Sequence, residues 1–420
     1  MRILKNSISF DNSIRYLCIV FMLYSMFDEF YLGPKLFSTL TWMIIYFILC
    51  ILWGKIYIGK NANIFLGFII IILIQMILTS ITYQISLIDI IYNNRRYFYL
   101  AFYFIISDFV YSNSENYKKL IYIITLFSFI MSFLIVIQGI SRSFFTNHWF
   151  LNEYAQELST QWRNGVIRLN FIEGIRIISL IFSFSGLLNK TINKNKILHF
   201  LNCFSGFIAF LIFAGTRMNL ILLIFTFLLT IWNSIRVKSI LRRLVIRLSQ
   251  ATLLVCGVLY FVLYTDGVIN RILSSFLVSK SEGSWYARIE AYSYYFHSFI
   301  SNPIIGIGLI TDSISSKAYN IIHGPLGIYH LSDTGIIGVF ASIGLLGGVM
   351  YLFFVAKICL LALKKHIKGK WTLVDNLACL TIWYLLTLSM LDNGREFMFP
   401  IIMLILEIEC SNKGSLRIEK

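Results

Sequence analysis

Charged and histidine residues are rare along this chain, and one interval, residues 283–348, gathers them with proline, glycine and aromatic residues. It holds Arg288, Glu290, His297, His323, His330 and Asp333. A guanidinium fork binds phosphate or carboxylate through paired hydrogen bonds and keeps its charge when partly dehydrated, while a histidine or carboxylate can orient or deprotonate an attacking hydroxyl. Each residue also has a plainer use. Asp333 precedes a glycine-rich apolar run, where a carboxylate is favoured by the helix dipole, and His330 could be an exposed loop histidine. Arg217 stands alone in the short turn FAGTRMNL between two apolar runs, which places one cation at the mouth of a bundle.

The elements that must position these residues are membrane helices. With 58% hydrophobic and 13% charged residues, 37 Phe and only 4 Pro in 420 residues, the chain has too little polar surface to cover a soluble globule. Its length corresponds to about twelve spans of roughly 20 residues joined by short loops. Apolar runs lie near 16–32, 37–53, 64–82, 97–111, 120–140, 171–188, 198–214, 219–235, 249–265, 334–356, 372–391 and 398–410. The basic head 1–15 leads into the first run without a cleavage site, so no removable signal peptide is expected.

With the N-terminus cytoplasmic, the inner loops hold most of the Lys and Arg, and both termini lie inside. The inner set is mainly lysine. The outer set is mainly arginine: Arg95, Arg96, Arg142, Arg163, Arg168, Arg176, Arg217, Arg271, Arg288 and Arg395. An outer face so rich in guanidinium is suited to an anion, although arginines that snorkel to lipid phosphates give part of the same pattern. The net charge of +16 is thus mainly a topology signal and no nucleic-acid footprint. The seven cysteines fall in or beside the inner halves of spans, placed for neither a disulfide nor a metal cluster.

Two outer loops are long. Residues 141–170 are aromatic and polar and run into a span that opens with Glu173 and Arg176, three apart on one helical face and able to pair. In the other, Trp285, Ile289, Tyr292, Phe296 and Phe299 recur at helical spacing, predicting an amphipathic helix over 284–300 that lies on the membrane surface or caps the bundle. Ser284 is its expected N-cap, and Asn302-Pro303 ends it. Gly306 and Gly308 allow a turn to pass close to other backbone, and Arg288, one turn from Tyr292, points toward the bundle mouth. The organisation expected is a membrane bundle of about nine helices over 1–265, an extracytoplasmic loop over 266–333, C-terminal helices over 334–410 and a cytoplasmic tail over 411–420.

The run Arg288-Ile289-Glu290-Ala291, then Asn302-Pro303-Ile304-Ile305-Gly306-Ile307-Gly308, a histidine, Ser332-Asp333-Thr334-Gly335-Ile336-Ile337-Gly338 and Gly344-Leu345-Leu346-Gly347 resembles the bacterial O-antigen polymerase/ligase family, the Wzy-type polysaccharide polymerases and their ligase relatives. The turn Ala214-Gly215-Thr216-Arg217 is similar to that family's small-residue-plus-arginine turn. The resemblance is specific over the C-terminal half and rests on hydropathy alone in the N-terminal half. It implies an all-α polytopic membrane protein with a GT-C-like fold in the bacterial cytoplasmic membrane. The activity implied is glycosyl transfer from an undecaprenyl-diphosphate-linked glycan donor to a glycan acceptor on the outer face, with no metal or other cofactor. Membrane lipids and a chain-length regulator are the further partners it implies.

On that reading Arg217 and Arg288 stabilise the departing diphosphate, with Arg168, Arg176, His323 and Arg395 as substrate contacts and His330 or Asp333 as base or orienting acceptor. His330 is followed by Leu331, where the ligase branch has a small polar residue, so the Ser-Asp-x-Gly form stands closer to the polymerases. A metal-dependent transferase would use Asp28-Glu29, and a flippase would need repeats and helices broken at mid-membrane.

Overall fold

The computed structural model describes residues 2–27, 39–53, 56–113, 115–145, 150–151, 162–163, 166–167, 169, 173–188, 195–214, 217–234, 283–310, 316–366, 373–391 and 395–410. The expected run at 249–265, Asp28-Glu29, Cys256, Arg168, Arg271 and the C-terminal tail lie outside the described residues.

The described chain is all-helical apart from a two-residue pairing of Trp162–Arg163 with Val166–Ile167. The helices are α1 (Arg2–Ser25), α2 (Thr39–Trp53), α3 (Ala62–Tyr83), α4 (Leu87–Asn93), α5 (Phe102–Ser112), α6 (Asn116–Phe145), α7 (Glu173–Leu188), α8 (Lys196–Ile208), α9 (Arg217–Ser234), α10 (Gly283–Ser301), α11 (Ser316–His323), α12 (Gly335–His366), α13 (Leu373–Thr387) and α14 (Met398–Cys410). Among the described residues, four helical stretches are long and apolar enough to cross a membrane: Ala62–Tyr83, Asn116–Ser143, Lys196–Phe213 and Gly335–His366. Thr39–Trp53, Asn219–Ile231 and Leu373–Thr387 are apolar but shorter.

The run at 97–111 is helical in two geometries: Arg95–Ala101 is a 3-10 helix and Phe102–Ser112 continues it as α5. At about 2.0 and 1.5 Å per residue the two sections together extend about 30 Å. The 3-10 section is anchored just before its start, where the Asn94 amide donates to Ile90 O and Leu309 O.

The bundle has two distinct ends, each marked by polar contacts between helices distant in sequence. At one, the Glu407 carboxylate of α14 accepts from Lys60 N (2.7 Å), Asn61 Nδ2 (2.9 Å), Tyr103 OH (2.6 Å) and Tyr111 OH (2.6 Å). Glu409 takes Tyr117 OH and Lys365 Nζ, and His366 at the end of α12 meets Asp375 near the start of α13. Asp108 on α5 is held by Arg15 and the Tyr46 hydroxyl. A buried carboxylate costs little only when its lone pairs are filled, and these are filled by helices distant in sequence, which fixes their ends together. The opposite end carries the Ser25–Thr39 contact, Tyr83, Glu173, Asn219, Tyr384 and residues 283–310 and 316–335.

The amphipathic helix forms as α10, starting at Gly283, so Ser284 lies in its first turn rather than at its cap. It ends at Ser301, before Asn302-Pro303. It packs on α12 and α11, with Ala291, Tyr295, Ile307, Ile310, Ala318, Ile322, Tyr329 and Ala341 forming a small core. The glycine-rich helix α12 is interrupted at Gly344, whose backbone is non-helical (φ 66°, ψ −170°). The turn after α10 fills the interruption: Leu345 N donates to Pro303 O (2.8 Å) and Ile307 N to Ala341 O (2.6 Å). Gln75 of α3 adds a bond from its amide to Ile304 O (2.8 Å).

Candidate functional site

Three pieces of chain meet at the α10 end: α10, the 3-10 turn Leu331–Asp333, and the segment after α13. Arg288 lies on the second turn of α10 and Asp333 closes the 3-10 turn, and Arg288 Nη2 donates to Asp333 Oδ2 at 3.2 Å. Their side chains are 34% and 29% exposed, so the pair is reachable from outside the bundle. Asp333 therefore serves a partner distant in sequence rather than its own helix start. Ile337 N and Gly338 N, in the first turn of α12, donate to the carbonyl of Thr334. The Tyr292 hydroxyl donates to Leu386 O (3.1 Å), which docks α10 on the end of α13. Burial raises the pKa of that phenol, with Arg288 opposing and Asp333 adding to the shift, so it remains a donor at neutral pH.

The two histidines are neighbours. His323 is buried and its Nδ1–H donates to Tyr329 O at 2.7 Å, while His330 is exposed. Their rings stand 5.1 Å apart, edge to face. Tyr329 OH donates to Glu290 Oε2 (2.9 Å), and Tyr294 and Tyr295 donate to the carbonyls of Ile321 and Ile322. The histidine segment is thus tied to the same helix that carries Arg288.

The remaining arginines take different places. Glu173 and Arg176 share the first turn of α7 and were expected to be able to pair, yet the Glu173 carboxylate takes Arg395 (2.8 Å). Arg176 is buried with its guanidinium 4.5 Å from the ring centre of Phe210, beside a cavity lined by Phe27, Phe127 and Met131. A partner three residues away on the same helix must bend back along the surface, whereas Arg395 arrives from the facing segment and delivers two donors to one oxygen. Arg217 begins α9 at the same end of the bundle. The structure therefore joins Arg288 to Asp333, His323 to His330, and Arg395 to Glu173, with Arg176 apart from these pairs.

Sequence reading passed over Asn219, Tyr384 and Ser389. Asn219 donates to Glu173 Oε1 and accepts from Tyr384 OH (2.7 Å), and Ser389 O accepts from Arg395 Nη1 (3.1 Å). Their signal was faint but present, because a polar residue two positions past Arg217 in an otherwise apolar helix requires a partner. Among the described residues, no group of three or more His, Cys, Asp or Glu is arranged to hold a metal ion.

No family model matches the chain, and no curated protein shows significant similarity to it.

Proposed function

We propose that the protein polymerises lipid-diphosphate-linked oligosaccharide repeat units into a surface polysaccharide, as a multi-pass enzyme of the bacterial cytoplasmic membrane. The reading takes the fold as GT-C-like, with about twelve spans and both termini cytoplasmic. Donor and acceptor are undecaprenyl-diphosphate-linked glycans that meet at the outer end. The observation that carries it is the half-exposed Arg288–Asp333 pair beside exposed His330, on a capping helix at one end of an apolar bundle. A guanidinium there can take up charge on a departing diphosphate, and Asp333 or His330 can accept the proton of an incoming sugar hydroxyl. The family resemblance supplies the substrate class.

A ligase-type transfer to a different acceptor is the alternative within the same chemistry. A transport reading has one observation in its favour, the interruption of α12 at Gly344. The interruption is closed by the chain's own backbone, through Leu345 N to Pro303 O and Ile307 N to Ala341 O, rather than left to line a passage, and group transfer is the better reading.

The test is turnover by purified protein supplied only with a synthetic lipid-diphosphate repeat unit. A ladder of longer glycans is the expected product. A single transfer to an unrelated acceptor would replace polymerase by ligase, and an unchanged substrate would remove the reading.

A further inference from the structure

We infer that the buried Glu173–Arg395 pair is a positioning device that sets the Asp333 turn and the start of the Arg217 helix from one carboxylate, an inference that rests on the reading of those two residues as parts of the site. The two oxygens of Glu173 are divided. Oε1 accepts from Asn219 Nδ2 in the first turn of α9, two residues after Arg217. Oε2 accepts from Arg395 Nε (3.0 Å) and Nη2 (2.8 Å). The third arm of the guanidinium, Nη1, donates to Ser389 O at 3.1 Å. Ser389 in turn donates its backbone N–H to Ser332 O at 2.9 Å, and Ser332 is the residue before Asp333. Tyr384 closes the other side by donating to Asn219 Oδ1 at 2.7 Å.

The side chains of Arg395 and Glu173 are 3% and 1% exposed, so neither charge can be moved to water without a large cost. The planar fork also fixes angles as well as distances, which a lysine would not. A chain of direct bonds therefore runs from the start of α7 to the start of α9 on one side and to the Ser332–Asp333 turn on the other. Glu173 and Arg395 are positioning residues here, acting through Asn219 and Ser389.

The test introduces cysteines as S332C and S389C into the full-length chain in membranes. Two residues joined by such a backbone bond have Cα atoms about 5 Å apart, within disulfide range. The rate of crosslinking by mild oxidant, read by mass spectrometry of the joined peptides, is compared with and without Glu173→Gln. The expected result is crosslinking slowed at least about tenfold, because an uncharged amide leaves Arg395 buried without its counter-charge. Elongation per folded molecule should fall while the KM for the lipid-linked donor stays within about twofold, the signature of an interaction made only in the transition state. Where Glu173→Gln does not reach the membrane, Arg395→Lys serves instead, since it keeps the charge opposite Glu173 but not the third donor to Ser389. Equal crosslinking rates in both backgrounds would overturn the inference even in an active polymerase. The crosslinking arm needs no turnover, so slowed crosslinking in a chain that elongates nothing would sink the reaction and leave the positioning role intact.

Discussion

Arg288 and Asp333 are chosen by position as much as by type. A half-exposed ion pair contributes little to stability, about 0.2–1 kcal/mol, so its presence on a capping helix calls for another use. Arg288→Ala and Asp333→Asn are each predicted to abolish elongation while the protein reaches the membrane and loses no more than about 1 kcal/mol of stability in detergent. Glycan ladders and unfolding midpoints measured on the same preparations check both halves of this statement. Full elongation by either variant would take that residue out of the site. Arg217→Ala carries the same expectation for activity. The residues themselves were legible in the sequence because charge is rare there. Their partners were not: 45 positions separate Arg288 from Asp333 and 222 separate Glu173 from Arg395. Local spacing offered Arg176 to Glu173, and a facing guanidinium with two aligned donors took the carboxylate instead.

The helices were legible as elements because apolar runs and helical periodicity act over short distances, and α10 falls within a residue or two of its expected limits. The interruption of α12 was not. The sequence GLLGG permits a break at any of its glycines, and what selects Gly344 is the backbone of residues 303–307 pressed into the helix. An added Cβ at Gly344 would overlap Ile304 O, and its φ and ψ belong to a region only glycine occupies readily. Gly344→Ala should therefore cost at least about 3 kcal/mol and detach α10 from α12. Gly67 on α3 supplies the comparison. Its nearest neighbour for a new methyl is Met350 Cε at 3.9 Å, so Gly67→Ala should stabilise by about 0.5–1 kcal/mol. Melting curves in detergent that ranked the two variants together would refute the role given to the break. The apolar run at 334–356 pointed to one continuous helix, and the chain is interrupted within it at Gly344.

At the scale of the whole molecule the bundle is polar in the sense that its ends differ. Lys60, Lys118, Lys119, Lys196, Lys364 and Lys365 belong to the end sealed by Glu407 and Glu409, while Arg176, Arg217, Arg288 and Arg395 belong to the opposite end. Lysine at short loops holds a cytoplasmic face against anionic headgroups. Arginine at the far end remains charged beside partly dehydrated anions. The separation agrees with the contacts that tie helix ends together at each end of the bundle. It predicts that Asn320, exposed on α11, faces outward and that Lys364, exposed near the end of α12, faces the cytoplasm. With cysteine placed singly at each, a membrane-impermeant thiol reagent applied to intact cells should label Asn320→Cys at once and Lys364→Cys only after permeabilisation. The reverse pattern would put Arg288 and Asp333 in the cytosol, where a translocated lipid-linked glycan cannot reach them, and the proposed reaction would have no place to occur.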